Sequence, residues 1–334
     1  MTQKSAIREI TGTTLASLTP ADVAGDRPVV WRNLANDWPV IQQARESDAD
    51  FIATLCSYDA GLPITLYRAD ASADGRIFYN DDMTGFNFSP EHASFAEFTA
   101  QLLNPKEAND TLYMGSTMLS RWFPAFSQAN PLPLASLHPL VSLWVGNQSH
   151  VAAHFDFPDN LAIVIAGRRR FTLFPPEQVS NLYIGPLEFT PAGQPISLVD
   201  ARNPDFTRFP RYKTALEHAI TVELEPGDAL YIPSMWWHQV ESLAPVNGLV
   251  NFWWRSTPHF LGNPFDALRH CLLSVGQLPA HQRLAWQAMF EHFVFNRADD
   301  TFAHIPEHNR GAVGEIDETT ARRLRADLLN KFNR

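Results

Sequence analysis

The stretch "HFDFPDN", His154 to Asn160, sets a histidine and an aspartate two residues apart in one of the most apolar parts of the chain. In a strand, residues i and i+2 project to the same side. His154 and Asp156 are therefore expected to point together, and Phe155 and Phe157 the opposite way. Titratable groups beside core segments are costly unless something pairs them. A divalent metal suits this pair. An imidazole and a carboxylate, joined by one more histidine, form the 2-His-1-carboxylate triad, which leaves positions open and suits non-heme Fe(II).

The third ligand should arrive from a distant strand. In "EPGDALYIPSMWWH", His238 follows "GDALYIPSMWW", which reads as a strand entering from the Pro-Gly-Asp turn. A lone histidine in apolar surroundings is usually a hydrogen-bonded core residue, and HxD alone arises by chance. The pair followed by further strands and this second motif is far more specific, and it predicts a metal held by His154, Asp156 and His238. His150 is a rival at a spacing of four, but that spacing pairs residues on a helix, and this segment reads as strand.

Working outward, residues 112–255 are short apolar runs cut by turn residues, such as "LVSLWVG", "NLAIVIAG", "RFTLFPP" and "GLVNFWWR". Many short strands of this kind imply a β-sandwich or barrel. Residues 1–110 mix strands ("RPVVWRNL", "PITLYRA") with helices. One helix is expected after an N-cap at Ser47, and another in "SPEHASFAEFTAQLL" with Ser89 as cap and Pro90 in the first turn. After Pro258 three helices are predicted, in "NPFDALRHCLLSVGQ", "LPAHQRLAWQAMFEHFVFN" and "ETTARRLRADLLNKFNR". The expected division is 1–110 as an N-terminal α/β region packing on the barrel, 111–258 as the metal-bearing barrel, and 259–334 as a helical region.

The 334 residues and a 45% hydrophobic share allow a sizeable core. A net charge of −10 disfavours a general grip on nucleic-acid phosphates and favours a basic partner, if the partner is a protein. Cys56 and Cys271 do not make a disulfide framework. No apolar run approaches the roughly 18 residues of a membrane span, and the N-terminus lacks the apolar segment of a signal peptide. A cytoplasmic protein without a membrane partner is expected.

"HFDFPDNLAIVIAGRRRFTLFPPEQ" and "VELEPGDALYIPSMWWHQVESL…VNFWWR" resemble the JmjC (cupin-like) 2-oxoglutarate oxygenases, and most of all their branch of asparaginyl hydroxylases. The resemblance is strongest over 112–255 and resumes at "LPAHQRLAW". It implies a mainly β fold with flanking helices, a double-stranded β-helix of the jelly-roll type with a C-terminal helical tail. It implies an Fe(II)-dependent hydroxylase that consumes O2 and converts 2-oxoglutarate to succinate. The family places a lysine against the cosubstrate's far carboxylate, and here that position falls in "GRRRF" on Arg169, which can hold a carboxylate bidentately. Strand alternation sends Arg169 to one side and Arg168 and Arg170 to the other.

By the same resemblance Tyr113 donates to that carboxylate, and Asn160 and Asn251 lie near cosubstrate and iron. Val151 departs from the pattern, where relatives carry a threonine; Ser116, Thr117 or water is expected to substitute. Tyr79 and Asp81 match residues that touch the peptide, and Trp237 and Trp253, with Trp236 and Trp254, are expected to wall the site. Gly115 stands where the asparaginyl hydroxylases carry a polar side chain for the target amide, so asparagine specificity does not transfer. The substrate class stays open between a protein side chain, a base and a small metabolite, with a histone demethylase not expected.

Two rivals stand beside the hydroxylase. One is a cupin-like metal-binding sensor or scaffold without oxygenase activity. The other is a metal-dependent isomerase or lyase on the same barrel. For the tail, Leu272, Leu273, Leu284, Trp286, Met289, Phe290 and Phe293 offer more apolar surface than a short helical appendage hides. The family resemblance implies a homodimer through these C-terminal helices, with the helix from Leu278 to Asn296 at its centre.

Overall fold

The computed structural model describes residues 6–104 and 110–332. Two compact units result, one ending at Arg255 and one beginning at Ser256. In the first, two β-sheets form the framework. The larger has nine strands in the order 8–10, 29–31, 229–232, 159–166, 247–254, 140–146, 111–118, 64–69, 88–93. The smaller has five, in the order 220–224, 169–174, 237–242, 149–154, 76–77. Nearly all pairings are antiparallel; 8–10 with 29–31 and 76–77 with 149–154 are parallel.

The layers follow from alternation along each strand. In Asp159–Ala166 every residue is buried, and from Leu161 on the run is continuously apolar, as expected for a strand covered on both faces. Leu161 and Ile163 join a core beneath the helices Pro39–Glu46, Asp48–Tyr58 and Phe95–Leu103. Ala162 and Val164 face the other way and pack with Phe171, Leu173, Val222 and Leu224 of the smaller sheet. The outer side of the smaller sheet packs Ala153, Phe155 and Trp237 under the long connection between 174 and 220. This is the expected jelly-roll with flanking helices. The strands of residues 1–110 extend the same two sheets, so no separate compact unit ends near 110.

Turn chemistry fixes the strand that leads to His238. Gly227 has φ +103, and a Cβ there would meet Asn36 Oδ1 at 2.2 Å, so only glycine fits. Asp228 closes the turn by accepting from the backbone N–H of Asn33 at 2.8 Å and of Glu225 at 3.2 Å, and pairs with Arg32 at 2.8 Å.

Ser47 caps its helix as predicted, accepting from the Asp50 N–H at 3.0 Å. The Ser89 cap is corrected. Phe88–Ala93 is a strand at the edge of the large sheet, where a proline that cannot donate is tolerated. The helix starts at Phe95, capped by Ser94 in a reciprocal box with Glu97.

In the second unit the helices are Pro264–Ser274, Ala280–Phe290 continued through a π-turn to Phe295, and Glu318–Phe332. The last two residues of the third predicted helix lie outside the described residues. Leu273, Leu284 and Phe295 are 79%, 66% and 74% exposed, so these helices leave their apolar faces uncovered within their own unit. Among the described residues no helix is long and apolar enough to cross a membrane.

Candidate metal and cosubstrate site

His154 ends the strand Ser149–His154, and His238 opens the strand Trp237–Ser242; the two stand directly opposite in register. Their rings lie 4.4 Å apart between centroids. Asp156 lies two residues past the end of its strand, in the connection rather than on the strand, and the backbone N–H of Met235 donates to its carbonyl at 2.9 Å. The expected divergence of side chains still holds, with Phe155 packed on Phe157 and Trp237 on the far side. One ligand atom each from His154, Asp156 and His238 lies within 4.8 Å of the others, a donor set that fits a divalent transition metal.

The ligand side chains are already held. His154 Nδ1 sits 2.9 Å from the Ala152 carbonyl and His238 Nδ1 3.0 Å from the Trp236 carbonyl. A carbonyl only accepts, so both Nδ1 atoms carry the proton and both Nε2 atoms keep a lone pair for a metal. Asp156 Oδ2 accepts from the Trp253 indole N–H at 3.1 Å and from Asn160 Nδ2 at 3.3 Å, and Asn251 Nδ2 in turn donates to Asn160 Oδ1 at 2.7 Å. Burial, reinforced by the neighbouring His154 imidazole, holds His238 well below the usual histidine range and therefore neutral.

These residues line one end of a cavity of about 660 Å³ between the two sheets. Arg169 also lines it and is 2% exposed. Its Nε and Nη2 have no hydrogen-bond partner among the described residues. Burial pushes its guanidinium down to about 10, still above neutral pH, so a full charge faces the cavity. Its neighbours turn outward as alternation predicts: Arg170 pairs with Glu223 at 2.7 Å and Arg168 with the same carboxylate at 3.7 Å. Tyr113 lines the cavity too, its hydroxyl pushed up by burial against the opposing pull of the Arg169 charge, so it stays a protonated donor. A buried, charged and unpartnered guanidinium beside a phenol donor fits the far carboxylate of a small dianion.

Of the expected substrate-side residues, only Trp253 lines the cavity. Tyr79 is buried outside it, and its hydroxyl donates to the Phe189 carbonyl at 2.6 Å. Asp81 is exposed on a turn. Trp237 packs edge-on against Phe155 at 4.9 Å, because the residue before an inward His238 must face out. Trp236 donates to the Asp26 carbonyl, and Trp254 stacks on Tyr231. His150 is no ligand; it lies off the cavity and its Nε2 has no partner among the described residues.

At Val151 the cavity wall is apolar, and Ser116 and Thr117 also line the cavity, with their hydroxyls on Ser142 and on the Gly115 carbonyl. Sequence reasoning missed Tyr67, Phe88, Trp122 and Trp144, which also line the cavity, and the segment 191–194. No motif marks them; their wall exists only because distant strands meet. Gly115 was read as a lost polar contact. In the fold it makes space, since a Cβ there would meet Trp144 at 3.2 Å and Tyr113 and Tyr67 at 3.5 Å.

Comparison with known proteins agrees with this geometry. A family model described as a cupin-like domain matches residues 19–260, well over half of the chain. HSPB1-associated protein 1 of Homo sapiens is 35% identical over 150 residues, covering 43% of this chain and 30% of that protein. Lysine-specific demethylase JMJ31 of Arabidopsis thaliana is 32% identical over 117 residues, 35% of this chain and 21% of that protein. tRNA wybutosine-synthesizing protein 5 of Gallus gallus is 34% identical over 105 residues, 31% of this chain and 30% of that protein. The matched segments thus span under a third of these relatives. On the family model and the strand topology together, the chain belongs to the cupin-like, JmjC-type domain family.

Proposed function

We propose that the protein is an Fe(II)- and 2-oxoglutarate-dependent hydroxylase. The observation that carries this reading is the pairing, in one cavity, of a metal-competent His-Asp-His set with the buried, unpartnered guanidinium of Arg169. A metal-binding scaffold needs the first but has no use for a bare buried charge, whose burial costs several kcal/mol unless a ligand compensates it. An isomerase or lyase likewise needs no such dianion cradle.

On this reading His154 and His238 supply Nε2, and Asp156 its carboxylate, to iron. Iron bound there supplies the chemistry by which O2 and 2-oxoglutarate convert a C–H bond to C–OH, with succinate and CO2 as co-products. Arg169 and Tyr113 grip the far carboxylate of 2-oxoglutarate and set its orientation. Asn160, Asn251 and Trp253 keep the Asp156 carboxylate turned toward the metal. Trp144 and Trp253, edge to face at 5.9 Å, narrow the cavity and limit water. Anaerobically reconstituted protein, given Fe(II), 2-oxoglutarate and then O2, should release succinate, and Asp156→Ala should not. Equal succinate from both would remove the reading.

Assembly belongs to the same proposal. The exposed apolar faces of the second unit support a homodimer through the C-terminal helices, burying on the order of 2,000 Å². Sedimentation should give a dimer for the wild type and a monomer for Leu284→Arg; a wild-type monomer at micromolar concentration rejects it.

A further inference from the structure

We infer that the group this cavity admits from its substrate is uncharged and largely apolar, recognised by packing against aromatic rings rather than by an ion pair. The inference rests on the hydroxylase reading above and narrows its substrate class. Among the described residues lining the cavity, the ionisable carboxylate, imidazole and guanidinium groups belong to Asp156, His154, His238 and Arg169 alone. All four are engaged in that reading: the two imidazoles and the carboxylate with the metal, the guanidinium with the dicarboxylate. A divalent metal, Asp156, Arg169 and a dianionic cosubstrate sum to no net charge. Nothing is left over to neutralise an ionic substrate group.

The rest of the wall is rings and small polar groups. Tyr67 and Phe88 meet edge to face at 5.3 Å, and Tyr113 and Trp144 are 5.9 Å apart. Gly115 opens the space between these rings, as the contacts of a Cβ placed there show. The polar groups that remain, among them Thr65, Thr117 and Gln194, hydrogen-bond neutral partners.

Aromatic walls also attract methylated ammonium groups, and magnitudes decide between the two occupants. A cation over a ring gains about 0.5–2 kcal/mol. Moving an ion out of water without a counter-charge costs several kcal/mol. With no free carboxylate among the described residues of the wall, the cation loses.

The test compares two soluble isosteres, choline and 3,3-dimethylbutan-1-ol, which differ in a quaternary nitrogen against a quaternary carbon. Binding is followed by protein NMR on the full chain, with and without Mn(II) and N-oxalylglycine. The neutral alcohol should bind at least about ten-fold more tightly than choline, a gap of about 1.4 kcal/mol. Met118→Glu, at a cavity-lining position that is 39% exposed and so tolerant of charge, adds the missing carboxylate and should close or reverse that gap. Choline binding as tightly as the alcohol to the wild type, or neither binding, overturns the inference, as does a gap unchanged in a folded Met118→Glu. Should Mn(II) and N-oxalylglycine fail to bind, the hydroxylase reading falls by itself. With both bound, the alcohol-to-choline ranking alone decides this inference, so the two failures are read separately.

Discussion

The two ends of the cavity are built on opposite terms. At the metal end the protein already holds all three ligand side chains: both Nδ1 atoms donate to carbonyls, and Asp156 Oδ2 accepts from an indole and an amide. At the Arg169 end two guanidinium nitrogens have no partner among the described residues, and Arg169 itself is 2% exposed. The first arrangement fixes ligands in place before anything binds. The second leaves a strong anion receptor, with its hydrogen bonds to be supplied by the guest. A fold can therefore hold orientation and affinity in separate places, one built from second-layer hydrogen bonds and the other from an unpaid charge.

Breaking the metal end should have the largest effect. Asp156→Ala and His238→Ala should each bring turnover to background with the fold retained by circular dichroism; residual turnover near the wild-type rate breaks the comparison.

At the other end, Arg169→Ala should raise the 2-oxoglutarate concentration needed for half-maximal succinate release about 100-fold, the loss expected for a charge-assisted bidentate contact. Arg169→Lys should recover part of that loss, since the charge returns without the fork. An unchanged requirement would mean that the orphaned nitrogens bind something else.

His150 sharpens the contrast, because it is buried with an unpartnered Nε2 but lies off the cavity. An orphan without a guest should cost stability instead of giving affinity. Burial, aided by Arg202 and Arg76 and opposed by Asp200 and Asp74, pushes its pKa down to about 4. A folded pKa below the unfolded value means that the unfolded chain takes the proton first. Stability is then full above about pH 6.5 and falls as pH drops toward 4. Between pH 7 and pH 5 this one group should remove about 2 kcal/mol. Urea unfolding at the two pH values should show a smaller drop for His150→Gln, and an identical drop would acquit His150.

The smallest effect is expected where the protein only orients a ligand. Trp253→Phe deletes the indole N–H from Asp156 Oδ2 but keeps a ring in the wall. It should weaken Mn(II) binding about ten-fold, as loss of an outer hydrogen bond to a metal ligand typically does. If the weakening equals that of Asp156→Ala, the carboxylate is positioned by Trp253 alone and the amides of Asn160 and Asn251 do nothing.

The metal end was legible in the sequence because its logic is local. HxD sits at one strand end, and a histidine after a Pro-Gly-Asp turn and a short strand sits at the other. Arg169 was legible through the family resemblance, which put the cosubstrate cation at its position; alternation was compatible with one arginine inward and two outward. The same alternation excludes Trp237 once His238 is set inward. Reading the paired tryptophans as a wall overlooked that adjacent strand residues face opposite ways. Ser89 failed for a related reason: a serine before a proline resembles a helix start, and only sheet pairing with 64–69 reveals an edge strand. The aromatic wall of Tyr67, Phe88, Trp122 and Trp144 left no local signal, because its members come from four separate elements and meet only after the sheets form.

The central claim is that a single cavity holds a metal at its satisfied end and a dicarboxylate at its unsatisfied end. The most direct measurement is a crystal structure of the protein grown with Mn(II) and 2-oxoglutarate. The account predicts the metal on His154 Nε2, Asp156 and His238 Nε2, and a carboxylate accepting from Arg169 Nε and Nη2 with Tyr113 beside it. A metal on those three residues with the Arg169 nitrogens still unpartnered, or paired to a protein group, would contradict it.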